Sequence, residues 1–212
     1  MTPVVLVLAV IGAAWGFSSD RIAARWPAHD DGSIRRVDWR TPVAIVTGAV
    51  ALPLVPLRFE GDVAACVIFG AYVLALVLLL ATDLDQRLLP DVITLPAIPI
   101  AFVVSLAGLN PLVPPGVLPI AVVVAILVPG GLALLARPFG AGAIGMGDLK
   151  LLVSVGLIAG PLRMFSGVVY GALLAGLVIV VLLVFRRITL KTYIPFGPFL
   201  ILGALWAVLV LR

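Results

Sequence analysis

Two aspartates at the edges of long apolar runs are the residues of this chain best suited to chemistry. Asp83 follows the apolar run 63–81, and Asp148 follows the string Gly145-Met146-Gly147. Carboxylates near hydrocarbon are costly and persist where they pair, line a cavity or react. Two neighbouring carboxylates do not both ionise readily, so they share one proton. The ionised member can activate water towards a peptide carbonyl while the protonated member serves the leaving amine, which is aspartyl protease chemistry.

Each aspartate also has an ordinary explanation when it is taken alone. Asp83 is expected in or just past the last turn of a helix, where the helix dipole opposes an anion, so it needs a partner or a function. Asp148 is expected to start the next helix after a permissive glycine loop, where a plain N-cap is the simple explanation. Asp85 and Arg87 fit a stop signal at the membrane interface. Asp91, after Pro90, could cap the following helix.

The composition requires that lipid surrounds most of the chain. Of the 212 residues, 63% are hydrophobic and 11% are charged, whereas a soluble domain has about 45–50% and 25%. Spanning segments in lipid are helices or closed barrels, and the pattern lacks the alternation of a barrel. We therefore predict an all-α, polytopic bundle of about eight membrane segments. The expected segments are 3–17, 42–57, 63–81, 92–109, 117–136, 149–160, 164–185 and 193–211.

The distribution of basic residues predicts the orientation of this bundle. If the amino terminus lies outside, all fourteen basic residues except Arg58, Arg163 and Arg212 lie inside. The positive-inside rule therefore predicts that both termini lie outside and that both aspartate motifs lie at the cytoplasmic face. The first segment lacks a basic start and is expected to be a retained helix. The acidic residues of the polar stretch 18–40 are expected to balance its arginines in water, and they are Asp20, Asp30, Asp31 and Asp38.

Metal and nucleic-acid functions receive no support from the sequence. The chain has one histidine, His29, and one cysteine, Cys66, far apart in the sequence. No metal site and no cofactor are therefore predicted. Membrane topology accounts for the net charge of +4 without a nucleic acid.

The two aspartate motifs together resemble those of the bacterial prepilin peptidases, or type IV leader peptidases. The first motif runs from Asp83 to Asp91 and ends in Leu-Pro-Asp, and the second runs from Gly145 to Leu151 as Gly-x-Gly-Asp-x-Lys-Leu. The resemblance implies that Asp83 and Asp148 are the catalytic pair. It implies that Gly145 and Gly147 shape the second loop and that Lys150 follows on the helix. The remaining motif positions, for which it implies no firm role, are Asp85, Arg87, Pro90 and Asp91.

The resemblance also implies a substrate and a location. The substrate would be a type IV prepilin or pseudopilin, whose basic leader is cleaved at the cytoplasmic face of the bacterial inner membrane. Residues 1–212 would form one membrane domain, with a short polar loop at 18–40 and a peptidase core at 63–185. Bifunctional members carry two Cys-x-x-Cys pairs in that loop and also methylate the product. The loop here has no cysteine, so zinc binding and methyl transfer are not predicted, and its aspartates are better candidate contacts for a basic leader than its arginines.

Three other functions fit parts of the pattern. A presenilin-like intramembrane protease shares the Gly-x-Gly-Asp motif, but the Leu-Pro-Asp stretch after Asp83 favours a prepilin peptidase. A transporter could use Asp83 and Asp148 to relay protons or cations, although such groups commonly lie near the midplane of the membrane. An assembly factor with a degenerate site is the third alternative.

Overall fold

The computed structural model describes residues 2–28, 33–139, 145–187, 189 and 195–211. Within these residues the chain forms α-helices, one short 3-10 helix at Arg137–Phe139 and no strand. The α-helices are α1 Thr2–Ala23, α2 Arg40–Arg58, α3 Val63–Gln86, α4 Asp91–Leu106, α5 Leu118–Ala136, α6 Met146–Ala159, α7 Pro161–Val184 and α8 Gly197–Leu209. By length and composition, α1, α2, α3, α5 and α7 can cross a membrane, and α4 and α8 are shorter apolar helices. The prediction of a polytopic helical membrane protein is confirmed.

Several helices extend beyond the apolar runs that predicted them. Helix α1 continues to Ala23 instead of ending at Phe17, and α3 continues to Gln86 instead of ending at Ala81. The polar loop predicted at 18–40 is therefore shorter, because its first residues are helical. Apolar runs underestimate these helices because their polar ends are stabilised by contacts with Arg35, through Asp20 on α1 and Asp85 on α3.

The starts of α4 and α6 correct two predictions about capping. Helix α4 begins at Asp91 with Pro90 as its N-cap, so Asp91 is not the cap. Helix α6 begins at Met146 with Gly145 as its N-cap, so Asp148 lies inside the first turn. In both helices an extended residue of the preceding loop takes the cap position. Asp91 instead pairs with Lys150 of α6, and the Asp148 carboxylate hydrogen-bonds to the backbone of Gly145.

Helices α3, α6 and α8 form the centre of the bundle. Their largest fully buried side chains include Phe69 and Leu80 on α3, Ile158 on α6 and Ile201 on α8. The outer helices instead expose apolar side chains, such as Val10 on α1, which is 69% exposed. An apolar surface of this kind suits lipid, which is as apolar as the side chains it meets.

Glycines allow two helix pairs to pack backbone against backbone. A Cβ placed on Gly12 of α1 would lie 2.1 Å from the carbonyl oxygen of Gly48 on α2. In the same way, a Cβ on Gly203 of α8 would lie 2.2 Å from the carbonyl oxygen of Gly167 on α7. Small residues permit such close approach in membranes. Gly176 of α7, in contrast, has no neighbouring atom within 4 Å of its Cβ position.

One end of the bundle gathers both aspartate motifs, and we call it the motif end. Helices α1 and α3 end here, and α2, α4, α6 and α8 begin here. At the opposite end, Arg58 and Arg163 both donate hydrogen bonds to the carbonyl oxygen of Leu211.

Candidate functional site

The last turn of α3 brings Asp83 to the motif end in a buried position. Asp83 is 4% exposed, and its carbonyl oxygen accepts the backbone N–H of Arg87 at 2.9 Å. Arg87 ends the helix in the left-handed conformation with φ of 56°. Residues other than glycine adopt this conformation at a cost, and such residues concentrate at functional sites. The reversal leads the chain to Leu89, which is buried beside Asp83.

The first turn of α6 holds Asp148 against the glycines of its own motif. The Gly145 backbone hydrogen-bonds to the Asp148 carboxylate. A Cβ on Gly145 would lie 3.2 Å from Asp148 Oδ2, and one on Gly147 would lie 2.8 Å from the Cβ of Leu89. Both glycines therefore allow close packing, Gly145 against the carboxylate and Gly147 against the first motif. The earlier part of this glycine loop, residues 140–144, lies outside the described residues.

Gly197, the first residue of α8, lies next to both carboxylates. A Cβ on Gly197 would lie 2.3 Å from Asp83 Oδ2 and 3.0 Å from Asp148 Oδ1. Both carboxylates therefore lie against the Cα of Gly197, and a side chain at this position would have to displace them. Gly197 was not predicted from the sequence to be a site residue. The sequence feature that could have indicated it is the turn-forming string Pro195-Phe196-Gly197-Pro198 at the start of an apolar run.

These residues enclose a small cleft of about 70 Å³ at the motif end. Its walls include both aspartates, both motif glycines, and residues from the start of α8. The lining residues are Asp83, Arg87, Leu89, Gly145, Gly147, Asp148, Pro195, Phe196 and Gly197. The Oδ2 atom of Asp83 is buried and has no hydrogen-bond partner within the described parts of the chain. Buried polar atoms without a partner are rare, and each one calls for an explanation.

Asp91 and Lys150 connect the two motifs beside the cleft. Lys150 Nζ lies 2.7 Å from Asp91 Oδ1, and this pair joins the first residue of α4 to the first turns of α6. Asp91 is more than half exposed, so water screens the pair. Pro90, the N-cap of α4, lies outside the cleft walls.

Asp85 lies on the other face of α3 and does not reach the cleft. Its carboxylate is 1% exposed, with Arg35 Nε at 2.6 Å and Arg40 Nη1 at 2.9 Å. The sequence predicted a stop signal at the interface for Asp85, and the structure adds that two arginines from the α1–α2 region cover it.

The polar stretch before α2 is also less solvated than predicted. Asp20 is 1% exposed and pairs with Arg21 and Arg35, so it is neither a solvated charge nor available to a substrate leader. Asp38 is one-third exposed and pairs with Arg35. Asp30 and Asp31, the other candidate leader contacts, lie outside the described residues.

The geometry supplies two carboxylates that face one another in a small, partly enclosed space. Such a pair can hold one proton between its members and can act as acid and base on a bound water molecule. In the described parts of the chain, no three His, Cys, Asp or Glu side chains come close enough to hold a metal ion.

Comparisons with known proteins agree with the motifs. The profile of the Type IV leader peptidase family matches residues 70–184, which is more than half of the chain. The curated protein "Prepilin leader peptidase/N-methyltransferase" of Pseudomonas putida is 34% identical over 185 residues. That alignment covers 82% of this chain, and the chain spans 60% of the length of this relative. No solved structure gives a significant match. With both motifs inside the matched region, the chain belongs to the type IV leader peptidase family.

Proposed function

We propose that this protein is an aspartic endopeptidase of the membrane that removes the leader of type IV prepilin or pseudopilin precursors. The observation that carries the proposal is the convergence of Asp83 and Asp148 on Gly197, with one buried oxygen of Asp83 unpartnered in the described structure. Membership of the type IV leader peptidase family supports the substrate class.

The two helix ends suggest how the acid and base roles divide. Asp148 lies in the first turn of α6, where the helix dipole favours negative charge, and the Gly145 backbone hydrogen-bonds to it. Asp83 lies in the last turn of α3, where the dipole opposes negative charge. We therefore assign the base that takes a proton from the attacking water to Asp148. Asp83 carries the shared proton, hydrogen-bonds to the scissile carbonyl, and finally protonates the leaving amine.

The proposal also includes the location of the cleft. The motif end would face the cytoplasm of a bacterium, the chain would form one domain of the inner membrane, and both termini would lie outside. This orientation is supported by the accumulation of arginines at the motif end, including Arg21, Arg35 and Arg40. A basic leader on the cytoplasmic side would then meet the cleft while its apolar helix stays in lipid.

Peptidase activity without methyl transfer is the form that the sequence favours. The relative from Pseudomonas putida is named for both activities. The present chain has a single cysteine, Cys66, which lies on α3 and not between α1 and α2. Mass spectrometry of the mature amino terminus tests this point, and a methyl group there would contradict it.

A transporter is less well supported by the position of the carboxylates. Transporters commonly bind their ions near the midplane of the membrane. Asp83 and Asp148 instead lie in the last turn of α3 and the first turn of α6, at one end of the bundle.

Co-expression with a prepilin tests the proposed function. Leader removal is followed by gel shift for the parent, for Asp83→Asn and for Asp148→Asn. Glu60→Gln is the matched control, because it also changes a carboxylate to an amide but lies exposed in the turn between α2 and α3. We expect cleavage by the parent and the control and none by the other two variants. Full processing by both aspartate variants would exclude the catalytic assignment.

A further inference from the structure

The last turn of α3 presents two different faces to its surroundings. Asp83 and Arg87 line the cleft, and residues four apart share one face of a helix. Asp85 and Gln86 lie between them in sequence and project to the other side, where they contact the region between α1 and α2. The last turn of α3 is therefore held on the cleft side and on the side of the α1–α2 region. The contacts on the second side come from residues that the catalytic chemistry does not use.

Asp85 anchors the last turn of α3 through ion pairs. Its carboxylate contacts Arg35 of the α1–α2 connection and Arg40 at the start of α2. Arg35 is held in turn by Asp20 of α1 and by Asp38 at 2.6 Å. Asp20 also accepts a hydrogen bond from the hydroxyl of Thr41 at 2.8 Å. Arg35 thus links the ends of α1 and α3, and Arg40 and Thr41 connect the same carboxylates to the start of α2.

Arg35 remains charged in this environment. Burial lowers the pKa of its guanidinium, but the hydrogen bond to Asp20 and the charges of Asp20, Asp85 and Asp38 outweigh burial and raise the pKa above its usual value. Asp85 is buried as well, so opening its contact with Arg35 would leave its carboxylate with Arg40 as its remaining charged partner in the described structure. The contact between Arg35 and Asp85 is therefore hard to open without moving the end of α3.

Gln86 anchors the same turn through hydrogen bonds of its neutral amide. Its amide nitrogen donates to the carbonyl oxygen of Pro27 at 2.6 Å and lies 3.4 Å from that of Ala23. The end of α1 and the residues that follow it therefore contact α3 through a second, independent set of bonds. The profile of the peptidase family begins at residue 70, so these partners lie outside the region it matches.

We propose that the described part of the α1–α2 connection, residues 24–28 and 33–39, is a positioning clamp for the catalytic aspartate on α3, with Asp85 and Gln86 as the positioning residues. The clamp fixes the last turn of α3 so that Asp83 meets Asp148 over Gly197. This inference rests on the proposed peptidase function. It adds a role for Asp85, and for the described part of the connection, that acts through Asp83 and not on the substrate.

The test compares three variants of the purified full chain in one detergent. Asp85→Asn and Gln86→Leu each loosen the contact with α3, whereas Asp20→Asn weakens the same cluster from the α1 side and leaves the contacts of Arg40 and Gln86 in place. The substrate is a synthetic prepilin peptide with its leader and apolar helix. The measurements are kcat, KM and the melting temperature.

We expect kcat of Asp85→Asn to fall by about 100-fold with KM nearly unchanged, because a displacement of about 1 Å at reacting groups has this effect. Gln86→Leu should lower kcat in the same way but less. Asp20→Asn should lower the melting temperature at least as much as Gln86→Leu does while it changes kcat less. This order separates positioning from stability, because a merely structural cluster would lower kcat in step with the melting temperature.

Two results overturn the proposal. One is an unchanged kcat in Gln86→Leu and in Asp85→Asn, and the other is a fall of kcat that follows the melting temperature across all three variants. If Asp85→Asn does not fold, Gln86→Leu alone decides, because it leaves every ion pair of the cluster intact. Failure of the parent chain to cleave the peptide would instead exclude the proposed function, so the two hypotheses fail in distinguishable ways.

Discussion

Asp83 and Asp85 are two residues apart on the same turn of α3, and their surroundings are opposite. Both carboxylates are almost fully buried. Asp85 lies between two arginines, whereas Asp83 faces another carboxylate across Gly197 and keeps one oxygen unpartnered in the described structure. A buried carboxylate that faces two arginines is compensated, whereas one that faces another carboxylate is kept at a cost that the charge of Arg87 on the cleft wall offsets only in part.

The motif end therefore contains two distinct groups of residues, an ion-pair cluster and the cleft. The cluster around Asp20, Arg35 and Asp85 neutralises its charges internally and joins three helices. The cleft around Asp83, Asp148 and Gly197 instead brings two carboxylates together, with Arg87 on its wall. Proteins commonly retain such costly groups where activity needs them.

The largest expected effect is an opposite response of the two aspartates to the same substitution. Asp85→Asn removes the carboxylate that Arg35 and Arg40 contact on α3, while Asp20 and Asp38 still face Arg35, so it should lower the free energy of unfolding by about 1–3 kcal/mol. Asp83→Asn removes the repulsion between two carboxylates and should leave the free energy of unfolding equal or higher, while it abolishes cleavage. Thermal unfolding of both variants in one detergent measures the difference.

This prediction has a clear contrary result. If Asp83→Asn destabilises the chain as much as Asp85→Asn does, then Asp83 is also a structural charge. The comparison between the two aspartates would then have no basis.

A methyl group at position 197 should disturb the cleft without touching the ion-pair cluster. In Gly197→Ala the new Cβ would lie 2.3 Å from Asp83 Oδ2, so the carboxylates must separate. We expect cleavage to fall by at least about 100-fold and the free energy of unfolding to fall by about 1–3 kcal/mol. Activity and thermal unfolding are measured on the same preparation.

Gly176→Ala is the matched control for this substitution. Gly176 lies on α7 with nothing within 4 Å of its Cβ position, so activity should be retained and stability should change by no more than about 1 kcal/mol. Normal activity of Gly197→Ala would mean that the two carboxylates need not meet at that position.

The smallest expected effect concerns the exposed pair Asp91–Lys150. A double-mutant cycle with Asp91→Asn and Lys150→Gln should give a coupling energy below about 1 kcal/mol, because water screens the pair. The same cycle on Asp85 and Arg35 should give a larger coupling, because both side chains are buried. Equal couplings for the two pairs would contradict the distinction between exposed and buried charges.

The helical membrane fold could be predicted because lipid leaves few alternatives. Runs such as 63–81 and 164–185 are too long and too apolar for a soluble protein of this size, and a helix satisfies its own backbone bonds. Helix ends were predicted less well. The apolar pattern stops at the hydrocarbon, but α1 and α3 continue as far as their charged ends find partners.

The candidate site could be predicted in part. Asp83 and Asp148 were recognisable because carboxylates at the membrane edge are unusual and because both motifs resemble those of one family. Gly197 was not recognisable, since a glycine before an apolar run has many possible reasons. Asp20 and Asp85 were taken for solvated or interfacial charges, because nothing in the local sequence indicates that Arg35 reaches both of them.

The sequence alone thus determined that lipid surrounds most of the chain, and it determined the secondary structure class, the family and the two carboxylates suited to proton transfer. These properties depend on composition and on residues close together in the chain. Only the tertiary structure decided which aspartate lies between arginines and which faces a second carboxylate. Asp83 and Asp85 are nearly equivalent in sequence, and a helix turns by about 100° per residue, so a separation of two residues directs them to different neighbours. The identity of those neighbours, Arg35 for one and Gly197 for the other, depends on helices that are distant in sequence and packed together.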